Sequence, residues 1–328
     1  MSADTTTSKN LVVALSGGIG GAKLALGLSR IMDPVDLVVI ANTGDDFEHL
    51  GLSISPDLDT LMYTLAGLDD PQRGWGRRDE TWTFMAALEK LGGETWFQLG
   101  DGDLATHVER TRRLQAGERL STITADLGRR LGIATRILPM SDDIVHTRLR
   151  TADGWLDFQD YFVRRRSAPA VLEVSYDGAA AAHALPEALA ALRSPQLRAV
   201  VICPSNPYLS IEPILAVAGL RDAIARCAGP VVAVSPIIAG RAVKGPTAKM
   251  MSELGLAVSA TAVAQRYHDL LDGYVVDHVD ANSATELPFA TAVAHTLMRT
   301  LEDRDRLARE VLALADALAQ PTTRTTAA

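Results

Sequence analysis

The sequence predicts an α/β protein: a Rossmann-like, doubly wound, mainly parallel sheet with an inserted mixed α/β capping region. Three observations carry that expectation. Leu11 to Leu15 is a short apolar run, followed by a glycine cluster and then by Ala22 to Ile31, where Leu24, Leu28 and Ile31 recur at helical spacing. Asp36 to Ala41 is a second apolar run, so the start of the chain reads as a β-α-β unit, which calls for parallel pairing and a right-handed crossover. The alternation then returns in Arg198 to Cys203, a helix from about Ile211 to Cys227, Val231 to Ser235, and Gly273 to Val276.

Between these two halves the pattern is mixed. Helices are expected at Thr81 to Lys90 and Ser121 to Leu131, and strands at Thr135 to Leu138 and Trp155 to Phe158. The expected organisation is a core from residues 11–74 and 191–320, with residues 75–190 inserted as a cap. Thr291 to Leu318 is Ala/Leu-rich and reads as one long helix with a break near Glu302 to Arg306. Residues 1–10 and 321–328, rich in Thr, Ser and Ala, are expected to be disordered tails.

Bulk composition excludes several classes. The chain has 328 residues, 47% of them hydrophobic, enough for a core that needs no covalent staples. Its two cysteines, Cys203 and Cys227, and the polar start lead to the cytoplasm as the expected compartment. No apolar stretch reaches the length that crosses a bilayer. A net charge of −8 opposes polyanions and anionic lipid, so neither nucleic acid nor membrane is an expected partner. A small anionic ligand is compatible with that charge, because backbone N–H groups and a metal ion act at short range.

The residues able to carry chemistry follow the strands. Ser16-Gly17-Gly18-Ile19-Gly20-Gly21-Ala22-Lys23 lies between the first strand and the first helix, where glycines let backbone N–H groups approach a phosphate. It matches neither fingerprint in full: the dinucleotide pattern begun at Gly18 needs glycine where Lys23 stands, and the Walker pattern fails at Ala22-Lys23-Leu24. A tight turn with close helix packing is the structural alternative. The second strand runs into Asn42-Thr43-Gly44-Asp45-Asp46, at the carboxyl end of the sheet where open α/β folds bind ligands, which makes Asn42 and Thr43 candidates for substrate contact.

Ser55-Pro56-Asp57-Leu58-Asp59-Thr60 can be read as a capped helix start, and capping explains its acids as well as function does. The balance shifts with number. Asp45, Asp46, Asp57 and Asp59 are four carboxylates within fifteen residues, which repel one another unless protons or a hard cation intervene. Mg²⁺ suits oxygen ligands beside phosphate. Leu99-Gly100-Asp101-Gly102-Asp103 to His107, Leu138-Pro139-Met140-Ser141-Asp142-Asp143, Cys203-Pro204-Ser205-Asn206-Pro207 and Ser235-Pro236-Ile237-Ile238 are further turn-like segments, each with a purely structural alternative. No catalytic Ser-His-Asp order, thiol nucleophile or zinc spacing can be assembled.

Taken in order, SGGIGGAK, NTGDD, SPDLDT, LGDGDLATH, LPMSDD, FQDYF, PSNP and SPIIAG closely resemble the 2-phospho-L-lactate transferase (CofD-like) family over about Leu11 to Asp277. The resemblance implies a Rossmann-like core with insertions, often dimeric. It also implies a reaction of coenzyme F-420 biosynthesis. The ribitol hydroxyl of the deazaflavin Fo attacks a guanosine diphospho-acid, taking up 2-phospho-L-lactate, phosphoenolpyruvate or 3-phosphoglycerate and releasing GMP, with Mg²⁺ required. It places Asp46, Asp57 and Asp59 in the acidic cleft as metal ligands, with Asp57 and Asp59 catalytic and Asp59 also touching the deazaflavin. Gln98 falls at a second deazaflavin position that is lysine in some archaeal members. Gly18 and Gly20 lie by the diphosphate, and Ser205 and Asn206 near the guanosine. Arg241 and Lys244 stand where some members carry small or neutral residues. The alternative is a UDP-sugar-binding regulatory protein on the same scaffold, resembling the gluconeogenesis-factor relatives.

Overall fold

The computed structural model describes residues 9–320, so the expected tails fall outside it apart from Lys9 and Asn10. Seven strands form the central sheet: β1 (Leu11–Ser16), β2 (Leu37–Ala41), β3 (Arg136–Pro139), β4 (Leu197–Ile202), β5 (Val231–Val234), β6 (Gly273–Asp277) and β7 (Ala290–Ala294). Their spatial order is β7-β6-β5-β4-β1-β2-β3, and every pairing is parallel. The chain therefore builds outward from β1 in one direction, returns, and builds from β4 in the other. A crevice opens between the carboxyl ends of β1 and β4 where the winding reverses.

Alternation along the strands explains the two-sided core. Val13, Leu15, Val38, Ile40, Val200 and Ile202 pack into one apolar layer, while Val12, Ala14, Leu37, Val39, Ala199 and Val201 pack into the other. Both layers are buried, which is why β1 and β2 read as continuous apolar runs instead of alternating ones. The second layer is closed by α1 (Gly18–Ile31), α2 (Pro56–Leu65) and the C-terminal helix Leu301–Ala319. At Gly27 the backbone of α1 meets that helix, and a Cβ there would run into the Arg304 carbonyl.

Around this core stand a hairpin, Phe47–His49 with Leu52–Ile54, and a three-stranded antiparallel sheet of Gly154–Asp157, His146–Thr151 and Glu173–Asp177. Helices α3 (Thr83–Lys90), α4 (Asp101–Gln115) and α5 (Leu120–Arg130) complete the stretch between β2 and β3. The stretch 75–190 is thus not confined to a cap, because β3 lies within it and forms an edge of the core sheet.

Two helix expectations need correction. The helix expected from Thr291 begins at Leu301: the segment before it is β7, paired in parallel with β6, because its alternating Thr and Val satisfy an edge strand. Thr300 and Asp303 form a capping box, and the helix runs through Glu302 to Arg306 without a break. The helix expected from Ile211 to Cys227 is divided into a turn at Pro207–Ile211 and helices Glu212–Ala216 and Leu220–Ala225, with Gly219 at φ +86° between them. Among the described residues no helix is long and apolar enough to cross a membrane.

Because α1 and the C-terminal helix touch through backbone at Gly27, Gly27→Ala should overpack the contact and lower stability by about 1–3 kcal/mol. Urea denaturation of the two proteins checks it; an unchanged midpoint would show that the helices separate at little cost.

Candidate active site

β1 ends at Ser16, and the chain turns into α1 through an extended Gly17 and Gly18 at φ +63°, a backbone angle that disfavours a side chain. The loop after β4 closes on this turn. Ser205 Oγ accepts from Gly17 N–H at 3.2 Å, and a Cβ on Gly20 would collide with the Pro204 carbonyl. Gly20 therefore answers a packing demand inside the fold, whereas Gly18 answers a conformational one. Asn206 Oδ1 accepts from the N–H groups of Tyr208 and Leu209, at 2.9 and 3.1 Å, while its Nδ2 is buried with no partner and the residue lines the cavity described below.

The aspartates face this turn from two elements. Asp45 and Asp46 follow β2, and Asp57 and Asp59 occupy the first turn of α2. Ser55 does not cap α2; its hydroxyl donates to Asp46 Oδ2 at 2.7 Å. Asp57 reaches across to α1, where Gly18 N–H donates to Oδ1 at 2.6 Å and Asn42 Nδ2 donates to Oδ2 at 2.9 Å. Asn42 Nδ2 also lies 3.1 Å from Asp45 Oδ1, so this amide is spent on the aspartates; neither Asn42 nor Thr43 lines the cavity.

Burial dominates the charge balance. It raises Asp45 well above the usual carboxylate range, with the charges of Asp57 and Asp46 adding to the effect. Asp46 is raised well above that range by burial too, against the Ser55 hydrogen bond and the Arg110 charge, and its Oδ1 is buried without a partner. Burial lifts Asp57 to about 6, although the Asn42 and Gly18 donors pull the other way. Loss of water favours the neutral form of Asp45 and Asp46 and brings Asp57 close to neutral pH.

Asp59 is treated differently. Arg110, 1% exposed, donates Nη1 to Asp59 Oδ2 at 3.1 Å and Nη2 to Oδ1, a two-pronged ion pair. Asp103, His107 and Arg110 recur along one face of α4. His107 Nε2 lies 3.2 Å from Asp103 Oδ2, and Tyr63 Oη donates to Asp103 Oδ1 at 2.6 Å. Burial works to raise Asp103, but His107 and Tyr63 outweigh it and hold the group below its usual range.

Among the described residues, the three potential ligands whose atoms all lie within 4.8 Å of one another are Asp59, Asp103 and His107. The structure does not gather the expected set of Asp46, Asp57 and Asp59 onto one point, because Arg110 draws Asp59 toward α4. Arg110 and Tyr63 are absent from the sequence reading, and Asp103 and His107 entered it only within a turn-like segment. Their signal was the spacing of Asp103, His107 and Arg110, which puts an acid, an imidazole and a guanidinium on one helical face. By contrast Asp101 is structural, accepting from the N–H groups of Thr83 and Phe84 at 3.1 and 3.0 Å, and Asp142 accepts from Ser121 N–H at 2.7 Å.

Asp45, Asp57, Asp59, Tyr63, Asp103 and His107 border one cavity of about 620 Å³. Its floor carries Gly18, Gly20, Asp45, Asp57 and Asp59, and Ser205 and Asn206 line it from the β4 loop. Trp75, Trp96, Phe97, Phe158 and Phe162 supply aromatic walls, with Phe158 and Phe162 stacked at 5.3 Å between ring centroids. Gln98 stands exposed at the margin, its Nε2 donating to Thr95 O at 2.7 Å. Gln159 lies 3.5 Å from Asp45 Oδ2 and lines the cavity as well.

A parallel sheet whose switch point carries a glycine turn, buried acids and an aromatic-walled cavity defines a Rossmann-like α/β protein with its ligand site at the strand carboxyl ends. Residues 12–312 match the family described as 2-phospho-L-lactate transferase CofD, and the chain belongs to that family of transferases. It is 42% identical to the phosphoenolpyruvate transferase of Kitasatospora aureofaciens over 318 residues, covering 93% of this chain and 98% of that one. It is 37% identical to the 2-phospho-L-lactate transferase of Methanocaldococcus jannaschii over 306 residues, covering 92% and 97%. In fold it is similar to a UPF0052 family protein from Bacillus halodurans, with a TM-score of 0.63 at 16% identity over 93% of this chain and 99% of that one.

Removing the cation from the buried pair strands Asp59, so Arg110→Met should cost about 3–5 kcal/mol of stability. The double change Arg110→Met with Asp59→Leu should recover part of it. Equal denaturation midpoints for wild type and Arg110→Met would refute the pairing.

Proposed function

We propose that the chain transfers a phospho-acid from a guanosine diphospho-acid to the terminal ribitol hydroxyl of the deazaflavin Fo, with release of GMP. The observation that carries this reading is the make-up of the large cavity, where the glycine turn and its aspartates meet a set of aromatic walls. The turn end suits a diphosphate and the aromatic end suits a flat tricyclic ring. The names of the relatives support a phosphoenolpyruvyl or 2-phospho-L-lactyl group as the acid transferred.

Mg²⁺ fits this site. Asp46 Oδ1 is buried without a partner, and burial disfavours charge on Asp45 and Asp57 in the absence of a cation. Asp45 and Asp57, which line the cavity, would hold the ion, with the charge of the neighbouring Asp46 added to theirs, while Asp59 is already neutralised by Arg110. Bound there, Mg²⁺ supplies charge neutralisation for the phosphate oxygens.

The residues of the chain orient the reaction. The glycine turn seats the diphosphate, and the partnerless Asn206 amide offers a donor toward the guanosine end. The ribitol oxygen attacks the acid-bearing phosphorus, the bond from that phosphorus to the bridging oxygen breaks, and GMP leaves with the electron pair. The hydroxyl proton passes to an aspartate. Asp57 would stay charged on the cation, and Asp59, fixed by Arg110, orients the acceptor.

Incubating the protein with Fo, Mg²⁺ and each guanosine diphospho-acid in turn should give coupled deazaflavin and GMP by mass spectrometry. No coupled product from any acid would overturn the assignment and return the nucleotide-sugar-binding reading. Asp57→Asn and Asp59→Asn should each lower kcat by about 10² or more with the fold retained by circular dichroism. Protons and the cation compete for the same carboxylates, which are protonated below their raised values and charged above them. The Mg²⁺ concentration for half-maximal rate should therefore rise as pH falls through about 6. A pH-independent Mg²⁺ requirement would count against Asp57 as a ligand.

A further inference from the structure

Beside the large cavity lies a recess of about 80 Å³, between the first turn of α1, residues 69–76 and the start of the C-terminal helix. It shares Lys23, Trp75 and Lys244 with the large cavity, so the two are adjoining. Four cationic side chains line it: Lys23, Lys244, Arg299 and Arg304. Arg304 is 8% exposed, its Nε is buried with no partner, and among the described residues no carboxylate comes within ion-pair distance of its guanidinium.

Two acids also line the recess, and the charge of Asp69 acts on Arg304 and Lys23 without forming an ion pair with either. Asp70 Oδ1 accepts from the N–H groups of Gln72 and Arg73 at 2.8 and 3.1 Å, and Asp69 pairs with Arg78 at 3.9 Å. The two lysines spend one proton each on carbonyls, Lys23 on Met298 at 2.9 Å and Lys244 on Gly74 at 3.3 Å, and keep donors free. The positive charges crowd one another: burial, then Arg304 and Lys244, push Lys23 below its usual range. A guanidinium this buried, with no ion-pair partner among the described residues and only Asp69 acting on it from further off, is costly to a fold and favours pairing with an added anion.

We propose that this recess binds a small oxyanion, the carboxylate of the acid carried by the nucleotide donor, with Arg304 as its main partner and Lys23 and Lys244 beside it. This rests on the transferase reading given above. The recess is too small for a base or a ring. With the diphosphate over the glycine turn and guanosine neutral, the acid's carboxylate is the anionic group of the donor left to place. A planar guanidinium fork matches a carboxylate with two parallel hydrogen bonds. Arg304 is then a specificity residue supplied from outside the motifs of the switch point.

Two measurements on the full chain test this. In steady state with Fo and Mg²⁺, Arg304→Gln should raise the KM for the donor at least tenfold while kcat and the KM for Fo stay within about twofold, the mark of lost ground-state binding. Arg304→Lys should recover part of the loss. An unchanged donor KM in Arg304→Gln would overturn the proposal. Separately, inorganic phosphate alone should raise the Tm of the wild type and not that of Arg304→Gln, because a ligand stabilises the state that binds it. No rise in the wild type, or an equal rise in both, would show that the recess is not an anion site. If the wild type couples no donor at all, the transferase reading and the donor carboxylate fall with it; a phosphate effect lost in Arg304→Gln would still establish the anion site.

Discussion

The carboxylate of Asp57 ties the site together. From the first turn of α2 it takes the Gly18 N–H at the head of α1 and the Asn42 amide beyond β2, so three segments that leave the sheet at its carboxyl edge converge on one buried anion. Its position is favourable because the positive end of α1 points at it, and unfavourable because water is excluded. That tension keeps the group near a protonation change, and the same tension extends to Asp45 and Asp46.

The other half of the acidic cluster resolves its burial through a partner. Arg110 neutralises Asp59, and His107 and Tyr63 hold Asp103, so the acids on the α4 side have close polar partners. The two sets differ in what they can accept. A carboxylate already bridged by a guanidinium is a positioning group, whereas aspartates without a cation are where a divalent ion relieves the most energy. The recess at Arg304 shows the opposite imbalance, a buried cation with no ion-pair partner among the described residues, next to the same glycine turn. Buried ionisable groups of both signs that form no ion pair among the described residues thus stand around adjoining cavities.

Several site features were legible in the chain because they are local. The glycine turn, the NTGDD segment and the SPDLDT helix start each follow a recognisable element and lie where open α/β folds bind ligands. Asp57 and Asp59 were found this way, and Ser205 does meet the turn while Asn206 lines the cavity. Asn42 was found for a different reason than the structure shows, since its side chain holds Asp57 and Asp45 and does not face the cavity. The partition of the acids was not legible: Arg110 lies fifty-one residues from Asp59, and no spacing rule reports which carboxylate a distant guanidinium will choose.

By itself the sequence determined the β-α-β alternation, the parallel sheet and the place of the glycine turn, because periodicity and turn chemistry act between near neighbours. The tertiary structure alone decided that Ala290 to Ala294 is a strand, since an alanine-rich segment is poised between helix and strand until β6 offers it an edge. It also decided which buried charges are paired, Asp59 with Arg110, and which are not, Asp45, Asp46 and Arg304. Burial and pairing depend on what the rest of the chain brings near, and that is set only when both layers of the sheet are closed.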